Sequence, residues 1–240
     1  MKLELNVGVR DFARIQLAAI TLVLLLGAGS YAFTLVTGYD SALGFLPLLD
    51  VGKELSLPTY FSALNLLLSS ILLLIIYRFE RSTGSGIARY WLFLALLLLL
   101  MSVDEAATIH ENFGRIQQYL ADRGLAPAME THKWTPIGFL LSVLVAIGLI
   151  PFLKRLPRDA KLWFIAAGLV FLLGAVGFEW LGSWMLSSGF VETRLDPVFL
   201  LRRLAEEGLE MYGIGIFNIA LYREIVKRDV SIVINPGLHQ

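Results

Sequence analysis

Cysteine is absent from all 240 residues, which excludes disulfides, thiolate metal sites and cysteine nucleophiles. Charge is scarce: 17% of the residues are charged, against about 25% in soluble domains. Histidine occurs only at His110, His132 and His239, too few for chemistry built on several imidazoles. There is no phosphate-cradling glycine loop, no dinucleotide fingerprint and no basic patch, so nucleotide cofactors and nucleic-acid partners find no handle here.

What the chain has in excess is apolar surface. It is 57% hydrophobic with a mean hydropathy of +0.70, which calls for a lipid bilayer as solvent. Apolar runs of about 20 residues cross a bilayer core. Reading for such runs predicts an all-α polytopic bundle in a single domain, 1–240, with six spans near 14–37, 59–78, 88–112, 135–153, 160–186 and 197–222. The first span follows Arg10 and Arg14 as a signal peptide would, but its apolar stretch is longer than an h-region and reads as an uncleaved span. Residues 38–58, apolar but broken by Pro47 and Pro58, suit an interfacial or re-entrant segment. Residues 112–123 read as an amphipathic continuation of the third span, stopped by Gly124. The two tails, Lys2–Val9 and Val230–Ile234, carry strand-like residues and are expected to pair.

The formal net charge of zero hides a segregation. The ends and loops on one side of the predicted bundle hold 13 of the 20 basic residues and six acids, a net +7, which leaves −7 on the other. Short basic loops stay in the cytoplasm. Both termini are therefore expected there.

Ionisable residues inside spans cost ~2.5–3.5 kcal/mol each at the helix centre and mark pairing or function. The third span carries Asp104, Glu105, His110 and Glu111, the fifth Glu179, and the sixth Arg202, Arg203, Glu206, Glu207 and Glu210. At 1.5 Å per residue, Asp104 lies ~22 Å from the cytoplasmic entry of its span and Glu179 ~27 Å from that of its own. Glu206–Glu210 lie ~14–20 Å from the outer end of theirs. Three separate stretches thus agree on the outer half of the membrane. On the third span Asp104, Ala107, Thr108, His110, Glu111 and Gly114 share one face and Glu105 falls outside it. Gly168, Ala175, Gly182 and Ser183 share the face of Glu179 as a small-residue seam that lets another helix approach. Arg202 with Glu206 and Arg203 with Glu207 are i, i+4 pairs that can neutralise each other. Seven carboxylates still face two arginines and one histidine.

Carboxylates with imidazole suit zinc, iron or manganese. The chain lacks the Glu-x-x-His of di-iron bundles, because Ala107 stands three before His110, and Gly114 takes the place of the second histidine of a zincin motif. His132, before the fourth span, is a further candidate ligand on the outer side; His239, in the cytoplasmic tail, is not.

The run S-x-D-E-x4-H-E at Ser102–Glu111, GFEWLG at Gly177–Gly182 and EEGLEMYG at Glu206–Gly213 together resemble a group of uncharacterised bacterial multi-span membrane proteins. The resemblance covers spans three to six and implies a bacterial inner membrane, without an activity. Intramembrane hydrolases of the ceramidase type use three histidines, more than the outer side offers.

The sequence therefore points to a membrane protein with an acidic, histidine-containing site that binds a divalent metal or another cation. Asp104, His110, Glu111, Glu179, Glu207 and Glu210 are the expected ligands, with Glu105, Glu206, Arg202, Arg203 and His132 in support. A metal-dependent hydrolase or oxidase is one extension of that reading. Its rivals are an accessory subunit of a larger membrane complex and a proton or cation transporter.

Overall fold

Helix boundaries fall where the chain carries caps and breakers. The computed structural model describes residues 7–125 and 135–229, and among them there is no strand. Helix α1, Val9–Thr37, stops at Gly38, whose φ of +72° lets its N–H return to the Thr34 carbonyl. A 3-10 turn (Ala42–Gly44) and the short α2 (Phe45–Leu49) follow. Helix α3, Leu57–Ser82, opens on Ser56, whose hydroxyl accepts the Thr59 N–H at 3.3 Å, with Pro58 in the first turn. Then come α4 (Ala88–Ala107), α5 (Ile109–Asp122), α6 (Thr135–Arg155) and α7 (Arg158–Leu172). A π-helical stretch, Leu173–Phe178, joins α7 to α8 (Glu179–Ser187) without a break. Helix α9, Pro197–Lys227, opens on Asp196, which accepts the Val198 N–H at 2.8 Å.

Five stretches are long and apolar enough to cross a membrane: Val9–Thr37, Leu57–Ser82, Ala88–Ala107, Ile137–Arg155 and Arg158–Ser187. The sixth expected span is present as α9, 31 residues long, but it is not among those five. Its position explains its composition. Helix α9 packs against α1, α3, α7, the π segment and α8, so its polar residues meet protein rather than acyl chains.

The third span is shorter than the sequence suggests. It ends at Ala107, because Thr108 takes a left-handed conformation (φ 54°, ψ 38°) and starts α5 in a new direction. The stop at Gly124 is where it was expected: Leu125 N–H bonds to Leu120 O and Gly124 N–H to Ala121 O, both at 2.9 Å, a Schellman closure. The segment 38–56 folds back on the bundle, where Val51 is buried with Tyr31 and Leu200.

The helix ends rich in Lys and Arg meet at one end of the bundle. Arg228 bridges Glu80 of α3 at 2.9 Å and Glu224 of α9 at 2.7 Å, and its guanidinium lies 5.6 Å from the Trp91 ring of α4. Lys227 binds Asp159 at the start of α7. Beneath this clamp Trp91, Phe152, Phe164 and Phe217 pack edge to face, with centroids 4.9–5.8 Å apart. The N-terminus joins the same end, since Tyr222 donates to the Val7 carbonyl at 2.7 Å. The pairing of the tails falls on residues outside those described.

A second polar layer lies deeper. Gln16 of α1 donates to Asn65 of α3, Ser69 donates to Asn218 of α9 at 2.6 Å, and Asn218 donates to the Asn65 carbonyl at 3.2 Å. Buried side chains that hydrogen-bond across helices in this way fix the register of three helices.

An acid-lined cavity at the centre of the bundle

Helices α3, α4, α5, α6, α7 and α9, with the 51–54 loop, line an open-sided cavity of ≈ 1460 Å³. Asp104 and Glu105 of α4, Glu179 at the head of α8, and Glu206, Glu207 and Glu210 of α9 all line it. The fold therefore brings the acids of three distant stretches to one space. Glu105 belongs to this set although a continuous third helix would have turned it away. Both Asp104 and Glu105 precede the break at Thr108 and both line the cavity from the last turn of α4, while the residues beyond the break no longer follow the same helix. The side chains of His110 and Glu111, and all of His132, lie outside the described residues.

Local features set each acid in place. The π segment inserts its wider turn immediately before Glu179, and such bulges re-aim the residue that follows. It also brings α7 onto α9: a Cβ at Gly174 would lie 2.7 Å from the Glu206 carbonyl oxygen. Glu179 in turn lies beside the Glu206 carboxyl on the same cavity. Of the expected seam, Gly182 packs against the Arg202 guanidinium and Ala175 lines the cavity. Gly168 meets nothing within 4 Å, and the buried Ser183 hydroxyl has no hydrogen-bond partner.

The two arginines behave differently. Arg202, 5% exposed, pairs with Glu206 at 2.7 Å and donates to the Phe178 carbonyl at 2.5 Å. The expected i, i+4 pair is thus formed. Arg203 leaves its own pair with Glu207 unmade as an ion pair and turns to the Phe199 ring, 5.4 Å away, and to the Tyr31 hydroxyl. It passes over Gly52, where no side chain would fit. Tyr31 donates to Asp50 at 2.7 Å, and Asp50 also accepts the Gly52 N–H at 3.0 Å. This latch holds the 50–56 loop over the cavity.

The latch positions a residue that sequence reading passed over. Glu54 lines the cavity, near enough for its charge to act on Glu207. Its signal was present as an acid in an otherwise apolar connection, but no helical periodicity related it to the other acids. Asn65 was passed over too, because it does not ionise. It is 6% exposed, lines the cavity, and its side-chain N–H2 has no hydrogen-bond partner.

Chemically the cavity has two parts. Thr59, Ser62, Asn65 and the carboxyls form a polar chamber, and the wall toward the basic end is made of Leu94, Leu98, Leu149, Phe164 and Phe217. In the polar chamber acids and bases are mixed: Lys53, Arg115, Arg194, Arg202 and Arg203 line the cavity with the carboxyls, and Arg202 pairs with Glu206. Among the described residues no group of three His, Asp or Glu side chains is arranged to hold a metal ion.

No curated protein and no solved structure matches this chain. One protein family does, over residues 16–224, which takes in the first two spans as well as the acid-bearing ones. The chain belongs to that family, described as Domain of unknown function (DUF8692).

Proposed function

We propose that this protein binds a cation inside the membrane, in the polar chamber between α4, α8 and α9. The observation that carries the reading is the gathering of Asp104, Glu105, Glu179, Glu206, Glu207, Glu210 and Glu54 on one cavity, where acids outnumber the basic residues Lys53, Arg115, Arg194, Arg202 and Arg203. Carboxylates in a low-dielectric site attract a cation more strongly than they would in water. The positive-inside rule puts this chamber in the outer half of a cytoplasmic membrane, with both termini inside. A divalent ion such as zinc, iron or manganese fits the donor types, with His110 as its nitrogen ligand. An ammonium group fits the same chamber without a fixed ligand geometry.

The experiment is a titration of the purified chain in detergent with zinc, manganese and simple alkylammonium ions, followed by intrinsic tryptophan fluorescence and calorimetry, with metal analysis of the protein as isolated. Saturable binding of at least one cation, weakened by Glu207→Gln with Glu210→Gln, supports the reading. Absence of any saturable cation binding removes it. A second reading is favoured by the closeness of the Glu179 and Glu206 carboxyls, a pair suited to exchanging protons: a carrier that couples cation movement to protons. Cation-driven proton flux in proteoliposomes, lost in Glu179→Gln, is its signature.

A further inference from the structure

We infer that an anionic phospholipid docks where α6 turns into α7, its phosphate on Lys154, Arg158 and Lys161 and one acyl chain in the cleft that opens between the two helices. This goes beyond the cation-binding reading and uses none of the cavity's acids. Three observations carry it.

The first is the charge at the turn. Lys154, Arg155, Arg158 and Lys161 fall within eight residues around Leu156 and Pro157. Asp159, the one acid among them, is taken by Arg223 and Lys227 of α9. The other described ion pairs at this end join Arg228 to Glu80 and Glu224, Lys227 to Glu224, and Arg14 to Asp11. Among the described residues, then, none of the four bases is in an ion pair, and Arg155 donates to the Gly86 carbonyl at 3.4 Å. Asp229, exposed just after α9, is the remaining described acid of this end. Basic groups set between helices at such an end are suited to lipid phosphates.

The second is direction. At 3.6 residues per turn, Arg158, Lys161, Leu162, Ile165 and Leu169 share an arc of roughly 100° on α7. Asp159 lies outside that arc, toward α9. Leu162 and Leu169 are 57% and 64% exposed, so this face meets lipid. The two bases therefore head a lipid-facing stripe. From Arg158 to Leu169 the stripe runs ~17 Å at 1.5 Å per residue. That is about half of the ~30 Å hydrocarbon core, the depth of one leaflet's chains.

The third is the space beside that stripe. Helices α6 and α7 are joined by two residues yet separate: α7 packs on α9, and the open-sided cavity comes between it and α6. Leu141, Val145 and Leu149 line the cleft from α6, and Ile165 and Leu169 line it from α7. At Gly168, on the same wall, a Cβ would meet nothing within 4 Å. Apolar cavities do not hold water, and folded proteins leave few voids unfilled. In a bilayer the filler at hand is an acyl chain. A soluble anion would meet the bases and leave the cleft empty, and a lipid without net charge would fill the cleft and leave the bases uncompensated. An anionic phospholipid does both.

The test uses the full chain in phosphatidylcholine nanodiscs and a phosphatidylglycerol probe with a photoreactive diazirine near the end of one chain. Cross-linked peptides are mapped by mass spectrometry. The inference expects labels at Val145, Leu149, Ile165 or Leu169 that excess phosphatidylglycerol displaces. Added phosphatidylcholine, and glycerol phosphate with the head but no chain, should not displace them. Lys154→Gln with Lys161→Gln should reduce the labelling by roughly tenfold or more, from about fivefold for each base near an anionic surface. Gly168→Leu fills the cleft and should remove its labels while the protein stays monodisperse. Equal displacement by phosphatidylcholine, or labels spread evenly over the lipid-facing surfaces of α1 and α6, overturns the inference in the unaltered chain. A dimer mass with the cleft unlabelled overturns it too, since a second copy would then fill the space. The cation titration stands or falls separately from each of these outcomes.

Discussion

Arg202 reaches from α9 to the main-chain carbonyl of Phe178, the last residue of the π segment, at 2.5 Å, while the same guanidinium pairs with Glu206 at 2.7 Å. One buried side chain thereby ties the acid-bearing turn of α9 to the residue before Glu179. Breaking a buried pair leaves an uncompensated charge, whereas replacing both partners with apolar groups of similar volume is often neutral. Arg202→Met is expected to destabilise the protein by about 3–5 kcal/mol, and Arg202→Met with Glu206→Met to recover most of that loss. Thermal unfolding in detergent, read by the retained monodisperse peak, decides it. A double variant as damaged as the single one would show that the pair has another role.

The approach of α7 to α9 depends on missing side chains. A Cβ at Gly213 would lie 2.6 Å from the Phe171 amide nitrogen, and one at Gly174 2.7 Å from the Glu206 carbonyl oxygen; both obstacles are backbone. Overpacking of this kind costs about 1–3 kcal/mol. Gly174→Ala and Gly213→Ala should each lower the unfolding midpoint. Gly168→Ala, in open space on the same helix as Phe171, should leave it unchanged or raise it, since alanine favours the helix by about 1 kcal/mol.

Thr108 offers a test with a sign. A non-glycine residue in the left-handed region costs roughly 1–2 kcal/mol, so Thr108→Gly should stabilise the protein. Were α4 and α5 one continuous helix, the same change would destabilise by a few tenths to about 1 kcal/mol. Equilibrium unfolding monitored by circular dichroism separates the two outcomes.

Orientation is read most directly with reporter fusions. Fusions at residues 83 and 157 are expected to report the cytoplasm, and fusions at 125 and 190 the periplasm, following the +7 and −7 split. Reversal at two of these sites would invert the assignment.

Glu54 supplies a final prediction. Held by the Asp50–Tyr31 latch, it faces the cavity beside Glu207. Tyr31→Phe removes the donor to Asp50 without changing the ring. It should weaken cation binding severalfold while the helical content stays constant, because it frees the loop and leaves the α9 acids in place. Binding as tight as in the parent chain would show that the loop takes no part.

The all-helical, membrane-spanning character of this protein is written in its composition, because only a continuous apolar run can cross a bilayer core, and such runs are local. The concentration of acids at one depth is nearly as local, following from residue count and helical rise. Which acids face one another is not local at all. Glu105 lines the cavity beside Asp104 on the last turn of α4, Glu179 follows a π turn, and Glu54 arrives on a loop pinned by Tyr31 and Arg203. A uniform 100° per residue describes none of these. Nor could the sequence distinguish α9 from a lipid-facing span, since whether a charged helix is tolerable depends on what surrounds it. Its neighbours α1, α3, α7 and α8 decide that, by replacing lipid with protein and a polar chamber around its carboxylates.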